Sequence, residues 1–200
     1  MMDDIIKAVL HAAEHAPTEA DILGTLHPAD IGQPWMNHDT YRIYWAIGKL
    51  FKPTSYLEIG VRFGYSIQSV ATGSGMLKTA YGFDNEYDLE GSLDIARSRL
   101  APIVENLHLQ KYDTQTLATL GNVPTDIAHI DGWHTRQGVY HDCQLTFPQV
   151  KANGLLLIDD VGGIDGAEVR RGADEFCADH GLTPHYLPCF HGMYLIRKIS

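Results

Sequence analysis

The chain has 200 residues, with 15 Lys and Arg against 25 Asp and Glu, for a formal net charge of −10. That length suits one domain, residues 1–200, with a sizeable core. The acidic balance excludes nucleic acid as a partner and disfavours an anionic membrane surface, since both need a basic face.

No stretch approaches the ~20 apolar residues of a membrane span. The opening "MMDDIIKAVLHAAEHAP" reads as an acidic amphipathic helix rather than a signal peptide. Cys143, Cys177 and Cys189 show no CxxC spacing, so free thiols in a reducing compartment, the cytoplasm, are expected. The composition leaves room for a homo-oligomer and says nothing more about assembly.

Residues 1–50 form a helical N-terminal extension, a candidate lid. Ile5, Ile6, Val9, Leu10 and Ala13 make one apolar stripe, and Thr18 is placed to cap a second helix. Two prolines and a glycine break the pattern in "HPADIGQPWMNHD", a loop. Helical spacing resumes with Ile43, Ala46, Ile47 and Leu50 on one side. Trp35, Met36, Tyr41, Tyr44 and Trp45 either line a substrate pocket or form the seam where these helices meet the core.

From residue 55 short apolar runs alternate with amphipathic stretches. "SYLEIGV", "KTAYGFD", "NLHLQKYD", "TDIAHID" and "GLLLIDD" read as strands; "SIQSVATGSG", "LEGSLDIARSRLAPI", "TRQGVYHDCQLTFPQVKANG" and "AEVRRGADEFCADHG", capped by Asp165, read as helices. The tail reads as two strands in a tight hairpin around "HG". Five βα alternations predict an α/β fold: a Rossmann-like parallel sheet with helices on both faces, a C-terminal antiparallel hairpin and extra N-terminal helices.

Ligands of such sheets bind at the carboxyl ends of the strands, where strand order reverses. The first strand runs into "LEIGVRFGYS", in which Gly60 and Gly64 permit a sharp turn and close approach to a ligand. Arg62 stands where a dinucleotide site wants its middle glycine. Glu58 would repel a pyrophosphate but suits a ligand bearing an amine, such as S-adenosylmethionine. Asp84 ends the second strand, placed to accept from both ribose hydroxyls. The bland reading is a tight βα turn with strand-end acids in water.

Two further strands end in acids: "AHIDGWH" in Asp131, and "GLLLIDD", 28 residues later, in Asp159 and Asp160. If those strands are neighbours, the three carboxylates converge and repel unless a cation offsets them. Mg²⁺ or a similar divalent ion takes such oxygen ligands and lowers the pKa of a coordinated alcohol. His134, three residues past Asp131, suits the base that takes the alcohol's proton. Among eleven histidines, however, a loop histidine beside an acid also arises by chance. The acids, likewise, can be ordinary solvated strand ends. A zinc site from His141 and Cys143 fails because residues two apart on a helix diverge; His185, Cys189 and His191 have no fourth ligand.

E-x-G-x-x-x-G-Y-S followed by a strand-end acid resembles the class I S-adenosylmethionine-dependent methyltransferases, in particular their metal-dependent O-methyltransferase branch, typified by the catechol enzymes. That branch has Asp-x-Trp-Lys and, 28 residues on, Asp-Asn; this chain has Asp131-Gly132-Trp133-His134 and Asp159-Asp160. The bacterial macrolide and sugar O-methyltransferases, with D-G-x-H and an acidic pair, are still more similar. The resemblance covers residues 55 to 162. It implies methionine-end contacts from Gly60, Tyr65 and Ser66 with Glu58 beneath, and ribose contacts from Asp84. It implies adenine near Asp113 and Thr114 and against Trp133, with Asp131 counted among both cofactor contacts and metal ligands. The implied reaction is methyl transfer to a hydroxyl of a small-molecule acceptor, sugar-bearing or phenolic. The rivals are a nicotinamide oxidoreductase, a metal-dependent hydrolase and a catalytically inactive adenosyl-binding subunit.

Overall fold

The computed structural model describes residues 2–31, 33, 39–87, 89–163 and 166–199. Met2–Glu14 (α1), Glu19–Leu23 (α2) and Thr40–Phe51 (α3) precede the first strand, Ser55–Ile59 (β1). Next come Tyr65–Ser74 (α4), Thr79–Asp84 (β2), Ser92–Leu100 (α5), Asn106–Lys111 (β3), Thr125–Ile130 (β4) and Arg136–Thr146 (α6). Val150–Ile158 (β5), Gly166–Asp179 (α7), His185–Leu187 (β6) and Met193–Arg197 (β7) follow.

The strands make one seven-stranded sheet in the order β3-β2-β1-β4-β5-β7-β6. β1 to β5 are parallel, while β7 runs antiparallel to both β5 and β6. This is the Rossmann-like class expected, closed by antiparallel strands. Chain order reverses between β1 and β4, which opens a crevice at their carboxyl ends. Among the described residues, no helix is long and apolar enough to cross a membrane.

Alternation along the buried strands divides the core between two faces. Leu155 and Leu157 of β5 pack with Ile47, Val70 and Leu93, under α1, α3, α4 and α5. Leu156 and Ile158 pack with Val139, Cys143 and Phe176, under α6 and α7. The first face places α3 directly over the sheet, and α3 and α4 touch backbone to backbone: a Cβ on Gly73 would fall 2.0 Å from the Trp45 carbonyl oxygen. That contact anchors α3 to α4, the helix that follows the glycine turn.

In the first fifty residues the stripe of α1 buries Val9 and Ala13, and Thr18 caps α2 through a reciprocal bond with Asp21. Leu50 departs from its expected stripe and is exposed, because α3 ends in a left-handed Lys52 and turns away. Trp35, Met36 and the Asp165 cap lie outside the described residues.

Three differences from the expected elements have local causes. Between β3 and β4 there is only a 3₁₀ turn, Thr114–Thr116, so four βα alternations replace five. α6 ends at Thr146, and β5 begins at Val150 rather than Gly154, with a bulge where Val150 pairs with Thr125 and Leu155 with Ile127. Lys151 fastens that bulge through its ammonium, 2.8 Å from Asp126 and 2.9 Å from Ser55 Oγ. The tail strands are joined by residues 188–192 rather than by a two-residue hairpin.

Candidate active site

A cleft of about 540 Å³ opens over the carboxyl ends of β1, β2, β4 and β5. Its size lies within the usual range for small-molecule sites. The sheet order brings the acids of four strands to its floor: Asp84 after β2, Asp131 after β4, and Asp159 and Asp160 after β5, with Glu58 inside β1.

At the first turn, Gly60 has φ +89°, and a Cβ there would meet the Asp131 carbonyl oxygen at 1.8 Å. Glycine is therefore required so that β1 and β4 can leave the sheet side by side. Gly64 caps α4, buried against Leu100 rather than facing the cleft. Ser66 and Tyr65 line the cleft; Ser66 donates to Glu58, and the Tyr65 hydroxyl accepts from the His27 amide at 2.8 Å. Asp84 lines it as well, its two oxygens accepting from the Arg62 amide at 2.7 Å and the Glu86 amide at 2.6 Å. A carboxylate held this way keeps lone pairs for further donors in the cleft.

Glu58 is fully buried behind this wall. Burial pushes its pKa up, opposed by His129 and Ser66. One oxygen, Oε1, receives both partners, while Oε2 is buried with no hydrogen-bond partner among the described residues. Asp113 also stands behind the wall, accepting from Trp133 Nε1 at 3.3 Å and so fixing the indole. Trp133 and Thr114 line the cleft, and the Thr114 hydroxyl donates to buried Asp142 at 2.7 Å.

At the other end the acids crowd together. Ligand atoms of Asp131, His134 and Asp160 lie within 4.8 Å of one another, and so do those of His129, Asp131 and Asp159. Asp131 belongs to both groups. His134 Nε2 is 3.1 Å from Asp160 Oδ2 and 3.8 Å from Asp131 Oδ1. Asp131 keeps 39 % of its side chain open to the cleft. Its recessed position, with the charges of Asp160 and Asp159, nonetheless pushes its pKa to about 7, against the hydrogen bond from His134. Burial and Asp159 raise Asp160 too, opposed by His134 and His191. Burial and mutual repulsion both penalise the charged carboxylates, a penalty that a bound cation would offset.

Three side chains here carry weight that the sequence reading did not give them. His191, from the segment joining β6 to β7, places Nδ1 2.7 Å from Asp160 Oδ1, so Asp160 lies between two histidines. His129 in β4 is fully buried: desolvation alone would lower its pKa, but Glu58, Asp131 and Asp159 together raise it to about 9. Tyr44 in α3 donates to Asp159. Spacing offered a weak signal for His129, which precedes Asp131 by two residues as Glu58 precedes Gly60; Tyr44 stood among aromatics that line a pocket or a seam, and His191 in a metal group set aside for want of a fourth ligand.

Residues 57–161 match a family model described as a methyltransferase domain. No curated protein matches the chain in sequence. Among solved structures, the methyltransferase PaMTH1 of Podospora anserina, bound to S-adenosylhomocysteine (SAH), superposes with a TM-score of 0.62 at 17% identity, covering 98% of this chain and 88% of that one. The O-methyltransferase TomG of Streptomyces achromogenes, involved in tomaymycin synthesis and complexed with SAM, gives 0.59 at 17% identity over 97% and 90%. An O-methyltransferase from Bacillus cereus, complexed with SAH, gives 0.58 at 14% over 96% and 90%. At these identities the likeness is one of fold.

Proposed function

Because the chain belongs to the methyltransferase-domain family, we propose that it moves a methyl group from S-adenosylmethionine to a hydroxyl oxygen of a small molecule, aided by a divalent cation and a histidine base. The observation that carries this reading is a single cleft with two chemically distinct ends. One end is the Gly60–Ser66 turn with Asp84; the other is the group Asp131, His134, Asp159 and Asp160.

The residues fit an adenosyl ligand with a cationic methionine end. Glu58 keeps one buried oxygen without a partner directly below the glycine turn, and its charge favours an ammonium nearby. Asp84 is preset for the ribose diol, and Trp133, held by Asp113, offers a ring face for adenine. Solved relatives of the same fold carry SAM or SAH, which supports the same ligand here.

The donor set also fits a hard divalent ion such as Mg²⁺, with Asp131, Asp159 and Asp160 as its ligands. When bound, such an ion would lower the pKa of the acceptor hydroxyl and offset the charge that forms on its oxygen. The chain's own residues do the rest. His134 is the base for the hydroxyl proton, and the imidazolium that results is held by Asp160, 3.1 Å from its Nε2. The acceptor oxygen bonds to the methyl carbon as the carbon–sulfur bond breaks; the electron pair stays on sulfur and leaves SAH. Tyr41, Tyr44 and Phe190 wall this end and exclude water from the reacting atoms.

Calorimetric titration with SAH, with and without Mg²⁺, on the parent and on Asp131→Ala tests the reading. The parent binds SAH and Mg²⁺, and Asp131→Ala loses Mg²⁺. Binding of NADH in place of SAH would overturn methyl transfer in favour of hydride transfer.

A further inference from the structure

Behind the acidic end of the cleft runs a file of polar side chains whose middle member, His129, methyl transfer as described leaves unused. Ser66 donates to Glu58 Oε1, and His129 Nδ1 lies 2.7 Å from the same oxygen. His129 Nε2 lies 3.0 Å from the Tyr44 hydroxyl, which donates to Asp159 Oδ2. Ser66, Tyr44 and Asp159 line the cleft, while Glu58 and His129 between them are fully buried.

Ionised carboxylates only accept, and a phenol has one proton. Tyr44 gives its proton to Asp159, so its oxygen accepts from His129 Nε2–H, while His129 Nδ1 faces Glu58 Oε1. No member can turn away without leaving a buried donor or acceptor unpaired. Asp159 is thus gripped from two elements: Oδ2 by Tyr44 of α3, and Oδ1 by the Asp160 amide at 2.9 Å.

We propose that Tyr44, braced by His129, is a positioning residue that aims Asp159 at the cation, so that helix α3 outside the strand–helix core completes the cation site. The proposal rests on the methyl-transfer reading for the cation itself. Packing alone does not account for the hydroxyl, because Tyr56 on β1 is buried just as completely beside His129, with ring centroids 6.4 Å apart, and its hydroxyl has no hydrogen-bond partner among the described residues.

Tyr56 therefore supplies the control. Mn²⁺ and SAH binding are measured separately by calorimetry on the parent, Tyr44→Phe, His129→Gln and Tyr56→Phe. Tyr44→Phe should lower Mn²⁺ affinity about 10- to 100-fold, the usual effect of losing one hydrogen bond to a charged group. SAH affinity should change by no more than about twofold, as for an uncoupled site. His129→Gln should show the same loss of Mn²⁺ affinity, and Tyr56→Phe should change neither ligand. Parental Mn²⁺ affinity in Tyr44→Phe overturns the positioning role and leaves methyl transfer standing. Equal loss of both ligands overturns it as well, since that is general loosening. A parent that binds SAH but no Mn²⁺ overturns it together with the cation half of the function. A parent that binds neither overturns the methyl-transfer reading itself.

Discussion

Asp142 on α6 is fully buried beneath Thr114 of the cleft wall. Its Oδ1 accepts from Thr114 at 2.7 Å and Gln115 at 2.9 Å, while Oδ2 has no partner among the described residues. Burial raises its pKa from 3.8 to about 7, more than those two bonds and His141 lower it. Since the folded pKa lies above the unfolded one, the native state keeps a proton that the unfolded chain has already lost. The resulting stability is fully present below about pH 4, falls as pH rises, and is gone above about pH 7. At 1.36 kcal/mol per pH unit, roughly three units correspond to about 4 kcal/mol. Asp142→Asn removes the titration while keeping the shape and the Oδ1 acceptor. Its amide leaves an unpaired donor at a cost of about 1–3 kcal/mol, so the variant should be less stable than the parent at pH 4 by that amount. At pH 8 it should be more stable by about 1–3 kcal/mol. Urea denaturation of both proteins from pH 4 to pH 9 measures the difference, in which all other titrating groups cancel. Parallel stability curves would refute the buried, protonated carboxyl.

Three other outcomes are expected. His134→Ala should leave SAH affinity near that of the parent while lowering turnover about 10²–10⁴-fold, measured with any accepted alcohol; full activity would remove His134 from proton transfer. Gly60→Ala should cost about 1–2 kcal/mol in left-handed strain and about 1–3 kcal/mol more in overpacking against Asp131, read as a lower urea midpoint with weakened SAH binding. Phe176→Ala, which empties a fully buried site in the α6–α7 face, should cost about 3–5 kcal/mol. In that variant, SAH affinity per folded molecule should match the parent, because the cleft lies on other elements.

Much of the site was written locally. The run from Glu58 to Ser66 and the acids that end β2, β4 and β5 stand at the ends of short apolar stretches, and a strand end is recognisable from its own residues. Elements whose boundaries depend on distant partners were harder to read. Residues 150–153 carry the helical texture of α6, yet Val150 pairs with Thr125 and Lys151 reaches Asp126, contacts that exist only once β4 lies alongside. Leu50 fits an apolar stripe by spacing and is exposed because the left-handed turn at Lys52 carries the chain away.

By itself, the sequence determined the succession of strands and helices, the glycine turn and the carboxylates that close the strands, because each depends on neighbours within a few residues. Only the tertiary structure decided which of these meet. The reversal of strand order sets β1 beside β4, pairing Glu58 with His129 across a single strand spacing. The packing of α3 on the sheet brings Tyr44 to Asp159, 115 residues further along the chain. The segment after β6 carries His191 back to Asp160. Hydrogen bonds and charges act over a few ångströms, so chemistry shared between distant segments becomes visible only when the fold has closed those separations.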